Sequence, residues 1–225
     1  MDISKFTRVA RKALKLRYCG AVIVAAGTAS RMGGIDKVMA ELDGEPMILR
    51  TVRTFQNSDA IKEIVVVTRE DLILPIMRLC AGLSKVQAVI CGGSSRQESV
   101  HLGLNALSRK VKLAAIHDGA RPLITWQVID RAVRAANSYG AAAPAIPVKD
   151  TIKVVHGGVV KETPDRKHLY AVQTPQVFDR AKLCAAMERA LAEGWDFTDD
   201  CQLMERAGHP VRLVAGLETN LKLTT

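Results

Sequence analysis

The chain is predicted to fold as an α/β domain, a doubly wound, mostly parallel sheet that carries an inserted β-arm. Three observations point there. Apolar runs of strand length alternate with segments of helical period. Runs such as Ile64-Val65-Val66-Val67 are apolar without a break, as in strands covered on both faces. The composition is 48% hydrophobic but only 4% aromatic, which favours aliphatic packing of helices on a sheet. At 225 residues, the chain is long enough for one such domain with a substantial core.

In chain order, a first strand is expected over 21–26. A helix then starts at Pro46, with Ile48, Leu49, Val52 and Phe55 forming its apolar stripe. The β-branched run Ile61–Thr68 predicts a second strand. A helix over 72–83, a strand over Val86–Cys91 and a helix over 96–107 follow. A buried strand is expected over 113–117, then a helix over 128–137. This repetition predicts parallel strands wound on both sides. The rhythm then changes. Short strands are expected over 141–148, 151–155 and 159–161, with His156-Gly157-Gly158 as a hairpin turn. The frame resumes with a strand over 170–178, a helix over Arg180–Glu193, a short helix after Thr198, and strands over 211–217 and 221–223. The expected organisation is a basic N-terminal extension over 1–20 and one domain over 21–225, with the β-arm inserted at about 148–170.

The net charge of +9 is uneven: six basic residues against Asp2 give the first twenty residues +5, leaving +4 for the body. A modestly basic body suits a small anionic substrate. Nucleic-acid binding would require a concentrated patch with aromatic partners, and the nine aromatic side chains are scattered. The leader lacks the apolar centre of a secretory signal and reads as an amphipathic surface helix, with an organelle-targeting or membrane-surface segment as the alternative. No run of membrane-spanning length occurs. Five scattered cysteines without a Cys-x-x-Cys pair suggest reduced, mostly buried thiols in a cytoplasmic protein.

Residues 21–37 carry the strongest chemical signal. An apolar strand breaks into a small-residue loop that contains Gly27 and Arg31 and ends at Lys37. Strand, glycine turn, then cations is how a backbone wraps a polyphosphate. The loop is not a Walker loop, because no Gly-Lys-Ser/Thr follows at the required spacing. Nor is it the dinucleotide fingerprint, because Ala29 occupies the second glycine position. Three more segments should meet it at the carboxyl edge of the sheet. These are the Gly/Ser-rich turn 91–99, the segment His117-Asp118-Gly119-Ala120-Arg121-Pro122, and Asn220-Leu221-Lys222. Asp118, at a strand's end, is placed to hold Mg²⁺ beside a polyphosphate, or else simply forms a turn. His117 reads as structural, because the dispersed histidines show no zinc spacing.

Together, Ala25-Ala26-Gly27, Arg31-Met32-Gly33, Lys37 and the 117–122 segment resemble the sugar-phosphate cytidylyltransferases. Within that group, four further segments resemble the family acting on 2-C-methyl-D-erythritol 4-phosphate in non-mevalonate isoprenoid synthesis. They are 147–153, Asp165-Arg166, Gln173-Thr174-Pro175-Gln176 and Thr198-Asp199-Asp200, with 220–224 continuing the match. The resemblance runs from about residue 21 to 225 and implies a Rossmann-like nucleotidyltransferase sheet that moves CMP from CTP onto the sugar phosphate and releases pyrophosphate. It implies that Ala25, Ala26 and Gly27 line the CTP phosphates, with Arg31, Lys37 and Lys222 at the reacting centre and Asp118 on Mg²⁺. It implies Gly93, Ser94 and Ser99 near the cytosine and ribose. Asp150, Thr151 and Arg166 are implied at the sugar-phosphate site, completed by the β-arm of a second copy in a homodimer, with Thr174 as a further substrate contact. A phosphate monoester is already largely dianionic at neutral pH, so this chemistry needs no general base.

The pattern departs from the family at three places. Ala29 and Asp36 stand where glycine and proline are usual, and the approach to Lys37 is one residue short. The chain ends at Thr225, where the family usually continues with a proline-led helix, so Lys222 is expected on a terminal strand without that support. Two alternatives compete: cytidylyl transfer to a ribitol- or glycerol-type phosphate, and a catalytically weak nucleotide-binding homologue. A dinucleotide-dependent oxidoreductase is more distant, for lack of the glycine fingerprint.

Overall fold

The computed structural model describes residues 15–27 and 37–223. The leader up to residue 14, and the loop residues Arg31, Ala29 and Asp36, lie outside that range.

Four parallel strands form the frame: β1 (Cys19–Ala25), β4 (Ile61–Thr68), β5 (Val86–Cys91) and β6 (Leu113–Asp118). Between β1 and β4 lie a two-residue ribbon, β2 (Glu41–Leu42) with β3 (Glu45–Pro46), and helix α1 (Met47–Gln56). Beyond β6, β7 (Ala141–Pro147) runs parallel to β12 (Arg212–Ala215) and antiparallel to β10 (Tyr170–Val172) and β11 (Gln176–Asp179). β11 also lies antiparallel to β6 and closes the order β10-β7-β11-β6-β1-β4-β5. The mostly parallel, doubly wound sheet is as expected.

Helices cover both faces because successive residues of the central strands point to opposite faces and are apolar on each. Ala21 and Ile23 of β1 pack with Ile64 and Val66 against α1, α2 (Ile73–Leu79) and α4 (Trp126–Tyr139), where Ile48, Phe55, Ile76 and Val128 are buried. Val22, Val65 and Ile116 point the other way, onto α3 (Arg96–Ala106), α5 (Arg180–Glu193) and α6 (Asp200–Arg206), among Leu104, Leu183 and Met204. Ahead of β1, Arg17 pairs with Asp179 at 2.7 Å and reaches Asn137, which fixes the entry of the chain.

Four expected elements are corrected. The helix expected over 72–83 ends at Leu79, and Leu83 N–H donates to Cys80 O in the turn that follows. The single strand expected over 170–178 is interrupted at 173–175, so residues 173–176 lie opposite only 143–144. The Thr174–Pro175 peptide there is cis. The strand expected over 211–217 is only four residues long, β12, because Gln173 takes over both backbone groups of Leu217. Residues 221–223 form no strand.

The arm leaves the sheet after β7. It holds the hairpin β8 (Val154–His156) and β9 (Val159–Glu162), which starts later than the expected strand over 151–155. Gly157 and Gly158 have φ of 55° and 77°, the left-handed pair that a two-residue hairpin turn demands. Val154, Val155, Val159 and Val160 are all exposed, as is Ile152 just before them.

Candidate active site

The carboxyl ends of β1, β4, β5 and β6 open into one cavity of about 610 Å³. Ala25, Ala26 and Gly27 form its floor, because β1 stops there. Lys37 and Val38 enter from the far side of the loop, and Lys222 and Leu223 from the chain's end. Gly92, Gly93, Ser94 and Ser95, between β5 and α3, make the opposite wall.

That wall is a built turn. Ser95 caps α3 by accepting from Glu98 N–H, and the Glu98 carboxylate accepts from Ser94 N–H (2.7 Å) and Ser94 Oγ (2.8 Å). Those two bonds hold Glu98 below the usual carboxylate range. Ser99 Oγ accepts from Gly93 N–H and donates to Ser95 O, so its hydrogen is committed and one lone pair is left to accept a further bond. Gly92 must lack a side chain, since a Cβ there would fall 2.5 Å from Ala26 Cβ and 2.7 Å from Ser99 Oγ. Gly92→Ala is therefore expected to cost about 1–3 kcal/mol of folding stability by overpacking, measured by urea denaturation. Unchanged stability would show that the floor and the turn move apart freely.

Asp118 ends β6 and presents its carboxylate to the cavity. Its Oδ2 lies 3.0 Å from Lys222 Nζ and 3.7 Å from Arg121 Nε, and its Oδ1 lies 3.7 Å from Arg96 Nε. Burial alone would raise this carboxyl, but Arg96 and then Lys222 outweigh burial and hold it below its ordinary value. Lys37 is buried, and burial followed by the nearby Lys222 ammonium pushes it below the usual lysine range. Two ammonium groups and one carboxylate thus meet at the strand ends.

Lys222 sits on no strand, yet side chains secure its segment. Gln173 holds both backbone groups of Leu217, and Asn220 Nδ2 donates to Thr174 O and Gln173 Oε1. Arg121 Nη1 donates to Asn220 O (2.7 Å), and Leu223 N–H donates to Ala120 O. The interruption at 173–175 is what brings these groups to the tail.

Of the residues singled out from sequence, Ala25, Ala26, Gly27, Lys37, Gly93, Ser94, Ser99, Asp118 and Lys222 line this one cavity. Thr174 lies behind its wall, buried, with its hydroxyl between His117 Nδ1 (2.9 Å) and Asp118 N–H (3.2 Å). Asp150, Thr151 and Arg166 sit exposed on the arm, where Arg166 Nη1 donates to Lys149 O. Arg31 lies outside the described residues. Arg96, Arg121 and Asp200 were not singled out, although all three stand inside the quoted segments.

Among the described residues, no group of three or more His, Cys, Asp or Glu side chains is placed to hold a metal ion. A lone carboxylate still fits Mg²⁺, which commonly takes one or two carboxylates and completes its shell with phosphate oxygens and water. It would not fit zinc.

A mostly parallel sheet whose carboxyl edge offers cations, one carboxylate and an amide-rich turn to a single cavity suits a nucleotide polyphosphate, as a nucleotidyltransferase requires. Residues 19–225 match the family model described as 2-C-methyl-D-erythritol 4-phosphate cytidylyltransferase. Curated proteins of that name are similar along nearly the whole length. The one from Caldanaerobacter subterraneus subsp. tengcongensis is 41% identical over 215 residues, covering 91% of this chain and 92% of its own. The one from Symbiobacterium thermophilum is 44% identical over 206 residues, covering 91% and 86%. Among solved structures, the 4-diphosphocytidyl-2C-methyl-D-erythritol synthase of Anaerococcus prevotii superposes with a TM-score of 0.85 at 30% identity, covering 93% of each chain. The chain belongs to the 2-C-methyl-D-erythritol 4-phosphate cytidylyltransferase family.

Proposed function

We propose that this chain transfers CMP from CTP to 2-C-methyl-D-erythritol 4-phosphate, giving 4-diphosphocytidyl-2-C-methyl-D-erythritol and pyrophosphate. The observation that carries the reading is the meeting of Lys37, Lys222 and Asp118 in the cavity of a chain of this family. Pyrophosphate release from CTP and Mg²⁺, followed with a panel of sugar phosphates, tests it. Release is expected with methylerythritol phosphate. Release with a ribitol or glycerol phosphate instead would move the chain to another specificity, and none with any acceptor would mark a binding homologue.

The step needs no proton abstraction. A phosphate oxygen of the acceptor, dianionic at neutral pH, forms a bond to the α-phosphorus of CTP while the bond to the β-phosphate oxygen breaks. Positioning and charge neutralisation carry such transfers. Lys37 and Lys222 supply positive charge at the floor of the cavity, and Arg31 is assigned to the same phosphates. Gly93, Ser94 and Ser99 receive the base and ribose, the free lone pair of Ser99 being suited to an amino group. Asp118 would hold Mg²⁺, which when bound neutralises the charge of the phosphates.

The acceptor site is assigned to Asp150, Thr151 and Arg166 of a second copy, with Thr174 acting through Asp118 from behind. Support for a homodimer is physical. A lone two-stranded hairpin is marginal in water, and β8–β9 leaves four valines exposed. A second arm would cover them. Arg166→Ala is expected to raise KM for the sugar phosphate at least about tenfold, the loss of one charge-assisted hydrogen bond, with CTP affinity intact. Unchanged saturation would remove Arg166 from the site. Sedimentation as a monomer at micromolar concentration would contradict the shared site. A cytoplasmic location accords with five unpaired cysteines. Among the described residues, no helix is long and apolar enough to cross a membrane.

A further inference from the structure

Among the described residues, Arg96 and the fully buried Asp200 form an ion pair that reaches the cavity and that the proposed reaction leaves without a role. Asp200 is fully buried at the start of α6 and does not line the cavity. Arg96 is the first residue of α3 and does line it. Its Nη2 meets Asp200 Oδ2 at 2.8 Å, while its Nε faces Asp118 Oδ1 at 3.7 Å. We propose that Arg96 is a positioning residue of the reaction: anchored on Asp200 behind the wall, its guanidinium sets the orientation of the Asp118 carboxylate. This rests on the reading of Asp118 given above.

Three observations carry it. The Asp118 oxygens are divided: among the described residues, Oδ2 is turned to Lys222 and Arg121, and Oδ1 to Arg96. Lys222 comes from a half-exposed side chain, whereas Arg96 is also anchored on the buried Asp200. Asp200 Oδ1 is buried without a hydrogen-bond partner, so the carboxylate's one strong side-chain contact is Arg96. A buried ion pair is a weak source of stability, because desolvation offsets the attraction. A planar guanidinium held on one carboxylate by a hydrogen bond does, however, present its charge to a second carboxylate from a fixed direction, as a lysine's point charge does not.

The pair also links two helices to the reacting edge. α3 begins at Arg96 immediately after the 92–95 turn, and α6 begins at Asp200. The turn assigned to the base and the carboxylate assigned to the metal are thereby held in one register by one side chain.

The test uses the full chain with Asp200→Asn and Arg96→Lys, reading both steady-state kinetics and CTP binding by calorimetry, in EDTA and in Mg²⁺. Asp200→Asn touches nothing in the cavity. It is expected to lower kcat at least about tenfold, with KM for the sugar phosphate within twofold. CTP affinity in EDTA should be unchanged, and the gain in affinity on adding Mg²⁺ should shrink. Arg96→Lys keeps a positive charge beside Asp200, so it is expected to fold even where Asp200→Asn does not, and should show the same split. Wild-type kcat and an undiminished Mg²⁺ gain in Arg96→Lys would overturn the proposal. So would a folded Asp200→Asn that loses only thermal stability. If the unaltered chain releases no pyrophosphate, the functional reading fails first, and the Mg²⁺ effect on CTP binding still decides the role of Arg96.

Discussion

Replacing Lys222 by alanine is expected to lower turnover by about 10²-fold or more, the cost of removing one preorganised charge aimed at a transition state. The ammonium reaches Asp118 at 3.0 Å and lies close enough to Lys37 to push that lysine down. It therefore stands over the cavity floor where the β1 loop and Asp118 meet. Loss of a ground-state contact would raise KM for CTP and spare kcat, whereas loss of charge that matters as the α-phosphorus reacts lowers kcat. The second pattern is expected here. Removing Lys222 also relieves Lys37 of its repulsive neighbour, so Lys37 should regain basicity and recover none of the rate. Stopped-flow measurement of pyrophosphate release at saturating CTP and acceptor checks this. Turnover within a few fold of the unaltered chain would exclude Lys222 from the reacting centre, and with it the reason for securing residues 217–223 through Gln173, Asn220 and Arg121.

What was legible in the sequence was local. Ile61–Thr68 and Val86–Cys91 stand at the bounds read from the residues, the first because Ile64-Val65-Val66-Val67 is apolar without a break, as a strand covered on both faces must be. Lys37, Asp118 and the 92–95 turn were legible for a related reason: Asp118 closes β6, the turn follows β5 directly, Lys37 ends the loop that leaves β1, and parallel strands bring their ends to one edge. The interruption at 173–175 was not legible. Only Pro175, which has no N–H to give a ladder, warned against a continued strand, and Gln173 leaves it to bond to Leu217 and Asn220, more than forty positions away. The same contact explains the tail. Leu221 and Leu223 look like strand residues, yet they gain their place from Arg121 and Ala120 rather than from a ladder. Arg96 and Asp200 are 104 positions apart, and no spacing along the chain announces their pairing. Motif reading finds the groups that meet the ligand, while the groups that hold those in place come from wherever the fold delivers them.

His117 gives the second large effect, this time on stability. Its ring is fully buried, tilted against Phe55 with centroids 4.8 Å apart. Nδ1 takes the Thr174 hydroxyl at 2.9 Å, and Nε2 faces Arg121 O at 3.4 Å, an arrangement that suits the neutral ring with its proton on Nε2. Burial pushes the imidazole down to about 4, a shift that the neighbouring Asp118 carboxylate opposes and the Arg121 guanidinium assists. In the unfolded chain the ring titrates near 6.5, so below that pH the unfolded state binds a proton that the folded state refuses. Stability is then fully present above about pH 6.5 and falls as the pH drops towards 4, by about 3 kcal/mol across the window. Asp118, held below its ordinary value, contributes stability that is lost further down, once the carboxylate takes up its proton. Urea denaturation from pH 8 to 4 in EDTA should show this decline in the unaltered chain. His117→Gln should be less stable at pH 8, for want of the Thr174 contact, but should have a flatter profile down to pH 4. Parallel profiles for the two would mean that the folded ring accepts a proton as readily as the unfolded one, and the buried contact to Thr174 that supports the Asp118 backbone would then have to survive an imidazolium.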